Sequence, residues 1–83
     1  MKVLYFAWLR ERIGAASEDL DLPADIATVG ALVEWLKSRG PAHASAFAGD
    51  KIVRCAVDQE FASLDAPIAA AREIAFFPPV TGG

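Results

Sequence analysis

Thr28 to Arg39 carries the strongest periodic signal in the chain. Val29, Leu32, Val33 and Leu36 fall at i, i+3, i+4 and i+7, the spacing that lays one apolar stripe along a helix. Thr28 is suited to cap its first turn. Lys37 and Arg39 suit the negative end of its dipole, and Gly40-Pro41 is a stop signal. Such a stripe has to be buried, and most of the remaining chain reads as short strands. The constraint is therefore one helix laid across one sheet.

The strand signals lie on both sides of that helix. Lys2–Leu9 is dense in β-branched and aromatic residues and predicts a buried strand. Arg10–Ala16, with Gly14, predicts a turn. Ser17–Leu22 alternates, Leu20 and Leu22 on one face and Asp19 and Asp21 on the other, which predicts an edge strand ended by Pro23. After the helix, the Ala-rich run Pro41–Gly49 predicts a second short helix carrying Phe47. Lys51–Val57 predicts a strand with Val53, Cys55 and Val57 on one face. Asp58-Gln59 reads as a two-residue turn into a short returning strand, Glu60–Ser63. Leu64–Ala71 is expected to be a loop with Ile68 tucked inward, and Glu73–Phe77 the last strand. Pro78-Pro79 ends it, since proline cannot donate to a ladder. The order β-β-α-β-β-β predicts an α+β fold, a mixed sheet of about five strands crossed by one main helix. That is the β-grasp, or ubiquitin-like, arrangement. Residues 1–77 are expected to form the domain and residues 78–83 an extended tail.

Composition narrows the function classes. With 83 residues the chain is one domain, and its core is too modest for a cleft enzyme with its own cofactor pocket. A hydrophobic fraction of 54% and a mean hydropathy of +0.31 exceed what so small a core can hide. An exposed apolar patch, and hence a partner, is expected. The net charge is −3, the pI is near 4.9, and the basic residues are scattered, which argues against nucleic acid. No apolar run is long enough to span a membrane. The opening Met1-Lys2-Val3-Leu4-Tyr5-Phe6 has the look of a leader, but Arg10-Glu11-Arg12 stands where a cleavage site would fall. A single cysteine, Cys55, suits a reducing cytoplasm.

Phosphate-binding glycine loops are missing from the sequence, so no bound nucleotide or other cofactor is expected. One His43 and one Cys55 do not make a metal site. Cys55 reads as a buried, inert thiol, and His43 as a surface residue without a catalytic role. Glu18-Asp19 and Asp58/Glu60 read as solvated strand and turn residues.

The tail differs. It runs Phe76-Phe77-Pro78-Pro79-Val80-Thr81-Gly82-Gly83. Six residues past Phe77 can reach about 20 Å from the domain. The prolines stiffen its base, and the glycines, lacking Cβ, could thread a narrow channel. What such an arm delivers is the Gly83 carboxylate, ionised at neutral pH and a poor electrophile until activated. Activation by a partner that forms an acyl-adenylate from ATP is the expected route. A sulfur nucleophile would then leave a thiocarboxylate, and an amine would leave an amide.

The ending Glu73-Ile74-Ala75-Phe76-Phe77-Pro78-Pro79-Val80-Thr81-Gly82-Gly83 resembles the small, sulfur-carrier subunits of molybdopterin synthase. So do Lys2-Val3-Leu4-Tyr5-Phe6-Ala7, Leu9-Arg10-Glu11, Thr28-Val29-Gly30-Ala31-Leu32 and Ala56-Val57-Asp58-Gln59, and the resemblance covers nearly the whole chain. It implies that Gly83 is adenylated by an ATP-using activating enzyme and converted to a thiocarboxylate by a persulfide donor. A large catalytic subunit would then receive the tail, Pro78, Pro79, Val80, Thr81 and Gly82 included, within a heterotetramer. There the sulfur would pass to cyclic pyranopterin monophosphate, and the large subunit would supply the catalytic side chains. The resemblance also implies a partner interface at Phe6, Phe61 and Phe77, with Arg10 as a polar contact. Asp58 stands where the family usually has Asn, and Ala69-Ala70-Ala71-Arg72 replaces a Gly-Asp-containing turn. Three other readings stay open: a sulfur carrier for thiamine thiazole synthesis, a protein modifier joined through Gly83, and a β-grasp interaction module with an inert tail.

Overall fold

The computed structural model describes residues 1–48 and 53–79. Val80, Thr81, Gly82 and Gly83 lie outside the described residues, as do residues 49–52, which include the expected start of the third strand.

The described residues form five strands and three helices: β1 (Lys2–Tyr5), α1 (Trp8–Ile13), β2 (Ser17–Asp19), α2 (Val29–Lys37), α3 (Pro41–Ala46), β3 (Arg54–Val57), β4 (Glu60–Ala62) and β5 (Glu73–Phe77). The sheet order is β2-β1-β5-β3-β4, with β1 and β5 parallel and the other neighbours antiparallel. This mixed sheet with its crossing helix is the expected β-grasp.

The core lies between the sheet and the helices. Val3 and Tyr5 of β1, Ile74 and Phe76 of β5 and Cys55 of β3 meet Val29, Leu32 and Leu36 of α2, all buried, and Ile68 is tucked in from its loop. α2 begins where the sequence placed it: the Thr28 hydroxyl accepts the Ala31 N–H at 3.2 Å. Gly30 donates to the Leu64 carbonyl at 2.9 Å and Val29 to that of Ala66 at 3.1 Å, which ties the helix start to the loop after β4.

Two expectations near the start of the chain are corrected. The strand predicted over Lys2–Leu9 stops at Tyr5, because Ala7 turns the chain at φ 56°, ψ −132°. The segment predicted to be a turn is largely α1, closed by Gly14 at φ 86°, whose N–H reaches the Arg10 carbonyl at 2.8 Å. Leu9 is thereby sunk into the core rather than ending a strand.

Glu18 and His43 are not solvated bystanders either. The β1–β2 register pairs Glu18 with Val3, a core-facing position, so the Glu18 side chain points inward and α3 covers it. There its Oε1 accepts from the Tyr5 hydroxyl at 2.7 Å and from His43 Nε2 at 2.9 Å. Arg39 approaches Oε2 at 3.9 Å.

The expected edge strand Ser17–Leu22 is shorter than its alternation suggested: β2 ends at Asp19, and Leu20 to Pro23 lie outside it. The remaining expectations differ little. Asp58 and Gln59, at φ 48° and 72°, form the two-residue turn into β4, the left-handed pair that matches strand twist. Asp58 Oδ1 accepts the N–H groups of Arg72 and Glu73 at 3.0 Å each. The carboxylate thus fastens the Ala69–Arg72 segment to the hairpin.

Candidate functional site

Alternation along β5 divides its side chains between two environments. Ile74 and Phe76 enter the core, while Glu73, Ala75 and Phe77 take the opposite face of the sheet. The register carries this outer face across the neighbours: Leu4 pairs with Ala75, Ala75 with Ala56, and Ala56 with Phe61. One row of apolar residues therefore crosses four strands, low at its alanine centre and raised at the Phe61 edge.

The next row holds the residues that the sequence singled out. Phe77 pairs with Arg54 on one side, and on the other the β1–β5 ladder, ending at Tyr5 and Phe76, continues with Phe6 donating its N–H to the Phe76 carbonyl at 3.1 Å. Phe6 is 48% exposed and Phe61 87% exposed, while Phe77 is half-buried. The Phe61 and Phe77 rings touch, with centroids 5.8 Å apart. Arg10 is exposed on α1, just beyond the bend that follows Phe6. Phe61, Phe77, Arg54, Cys55, Ala62 and Pro79 enclose an open concavity of about 340 Å³. Pro79, the last of the described residues, is part of that wall.

Leu4, Ala56, Ala75 and Arg54 belong to this face but were not singled out from sequence. Period-two alternation along β1 and β5 was the available signal for the outer placement of Leu4 and Ala75. Which strands lie side by side, and hence that these residues form a row, required the sheet order.

The face offers adhesion rather than chemistry. Among the described residues no group of three or more His, Cys, Asp or Glu could hold a metal. Cys55 is buried, its thiol donates to the Ala62 carbonyl at 3.3 Å, and burial pushes its pKa up, so the reactive thiolate is disfavoured. Burial also raises Tyr5, reinforced by its hydrogen bond to Glu18 and the charge there, so the phenol stays protonated. Glu18 is discouraged from ionising by burial. Its hydrogen bonds with His43 and Tyr5 and the nearby charges of His43 and Arg39 outweigh that effect and hold its carboxyl below the ordinary value. This cluster sits under α3, on the opposite side of the sheet from the phenylalanines, and does structural work.

The model of the ThiS family matches residues 3–83. The chain belongs to the ThiS family. The molybdopterin synthase sulfur carrier subunit of Escherichia coli (strain K12) is 40% identical over 83 residues, covering 100% of this chain and 99% of that protein. The protein of the same name from Dictyostelium discoideum is 39% identical, covering 99% and 94%. Among solved structures, small archaeal modifier protein 1 of H. volcanii superposes with a TM-score of 0.76 at 34% identity, covering 96% of this chain and 97% of that one. The alignment with the Escherichia coli protein spans the whole of this chain, its Gly-Gly ending included. No helix of the described residues is long and apolar enough to cross a membrane.

Proposed function

We propose that the chain is the sulfur-carrier subunit of a molybdopterin synthase and works through the carboxylate of Gly83. The observation that carries this reading is the full-length similarity to proteins named for that role. The position of Pro79, in the wall of the exposed Phe61–Phe77 concavity, supports it physically. A partner seated on that face lies at the root of the tail and can draw residues 80–83 into its own active site.

The cycle has three steps. An activating enzyme joins AMP from ATP to the Gly83 carboxylate and releases pyrophosphate. The outer sulfur of a donor's persulfide displaces AMP to form an acyl disulfide. A second thiol then cleaves its S–S bond, leaving the thiocarboxylate on Gly83 and a disulfide on the donor. The large subunit then binds the apolar face through Phe6, Phe61 and Phe77, with Arg10 as a polar contact, and directs the sulfur onto cyclic pyranopterin monophosphate. This chain holds no cofactor of its own in that scheme, the large subunit contributes the catalytic side chains, and the pair assembles as a heterotetramer in the cytoplasm.

A second reading is favoured by the likeness to small archaeal modifier protein 1: the activated Gly83 is captured by an amine, giving an amide-linked conjugate. One experiment separates the two. The protein is incubated with ATP, the activating enzyme and a persulfide source, and its intact mass is read. The sulfur-carrier reading expects the mass of one sulfur-for-oxygen exchange, reversed by the large subunit with the pterin precursor. A ladder of conjugates would favour the modifier, and an unchanged mass with a competent activating enzyme would overturn both.

A further inference from the structure

Arg54 stands cross-strand from Phe77 on the outer face and walls the concavity with Phe61, Phe77 and Pro79. It is exposed, and among the described residues it belongs to no ion pair. Two of the arginines near the helices are engaged within the chain. Arg12 donates to the Ser45 hydroxyl at 3.0 Å and lies over the Trp8 ring, while Arg39 approaches Glu18 and lies over Trp35.

The register explains why Arg54 lacks an acid beside it in the sheet. Lys2 is flanked by Asp19 and Glu73, so the charges of the outer face gather at that end. Glu73 is four residues along β5 from Phe77, about 13 Å at ~3.3 Å per residue. The face is therefore mixed in charge at one end, apolar through its middle and cationic where the chain departs. In a protein of net charge −3 that is a local reversal of sign.

We propose that Arg54 is a specificity-determining contact, pairing with a carboxylate on the protein that covers Phe61 and Phe77 and so fixing that partner's orientation at the root of the tail. The inference rests on the docking face described under Proposed function and names the chemistry its partner must present. A guanidinium covered by a partner loses water, and a lost charge–water contact is costly unless a counter-charge replaces it. A carboxylate does so with two parallel hydrogen bonds, which fix direction as well as distance. A partner with a neutral or basic rim is rejected by the same group. The alanines at the centre of the face leave room for that partner to approach closely.

The test is binding of the full chain to its cognate large subunit over a series of salt concentrations, with Arg54→Glu, Arg54→Ala and Arg12→Glu as variants. Arg54→Glu is expected to weaken binding by about tenfold or more and to flatten its salt dependence. Arg54→Ala should fall between it and the wild type, and Arg12→Glu should match the wild type. A lysine substituted for the facing acid of the partner should restore binding to Arg54→Glu. Melting followed by circular dichroism should show all variants folded, since Arg54 is exposed. If Arg54→Ala binds as tightly as the wild type with the same salt dependence, the pairing is overturned while the docking face stands. If the wild type itself does not bind the large subunit, the functional reading falls and takes this inference with it.

Discussion

Glu18 shows how one residue can hold a role that its neighbours in sequence conceal. Set between Ser17 and Asp19 in a short edge strand, it looks solvated, yet it accepts from Tyr5 and His43 beneath α3. Its carboxyl is held below the ordinary value near 4.5. A depressed folded value means that the carboxylate's contribution is complete above the unfolded value and is lost as pH falls through the folded one. The wild type is therefore expected to exceed Glu18→Gln in stability at pH 7, with the difference shrinking once the pH drops below about 4.5. Urea unfolding at pH 7 and at pH 3 checks this, and an identical pH dependence for the two proteins would count against the cluster. Nothing local announces the pairing: Tyr5, Glu18 and His43 come from β1, β2 and α3, and only their packing joins them.

At the scale of elements, legibility follows length and capping. α2 has a nine-residue stripe and a threonine cap, so its position could be read directly. Removing the cap oxygen in Thr28→Ala should cost about 1 kcal/mol, measured as a lowered urea midpoint with an unchanged slope. An unchanged midpoint would mean that the tether from Gly30 to Leu64 holds the helix start by itself. β5 was equally legible because Pro78 ends it and its alternation is strict. α1 was not, since six residues are too few to establish a period. The apolar residues running from β1 into it, Phe6 to Leu9, look like more strand. The Leu9–Ile13 spacing and Gly14 were its available signals, and the left-handed bend at Ala7 had none. The Asp58-Gln59 turn was visible as a turn, but the bonds from Asp58 to Arg72 and Glu73 belong to a chain segment fourteen and fifteen residues away.

At the scale of the whole molecule, two of the three large apolar side chains left exposed among the described residues, Phe6 and Phe61, lie on one side of the sheet, while Leu64 stands by the start of α2. Phe61 is 87% exposed, so Phe61→Ala should leave folding stability within about 0.5 kcal/mol of the wild type. As a large ring at the edge of the docking face, it should lower affinity for the large subunit by about 2 kcal/mol, close to thirtyfold. Paired thermal melts and titration calorimetry would show this split. A loss of stability without a loss of affinity would instead mark Phe61 as a folding residue. The sequence by itself determined the fold class, the main helix, the last strand and the Gly-Gly ending, because these rest on local periodicity, caps and proline, which act over a few residues. Only the tertiary structure decided that Phe77, Phe61, Phe6 and Arg54 share a surface and that Glu18 packs against Tyr5 and His43. Those facts depend on which strands lie side by side and in what register, and that is fixed by the global burial of the core, not by any short stretch of chain.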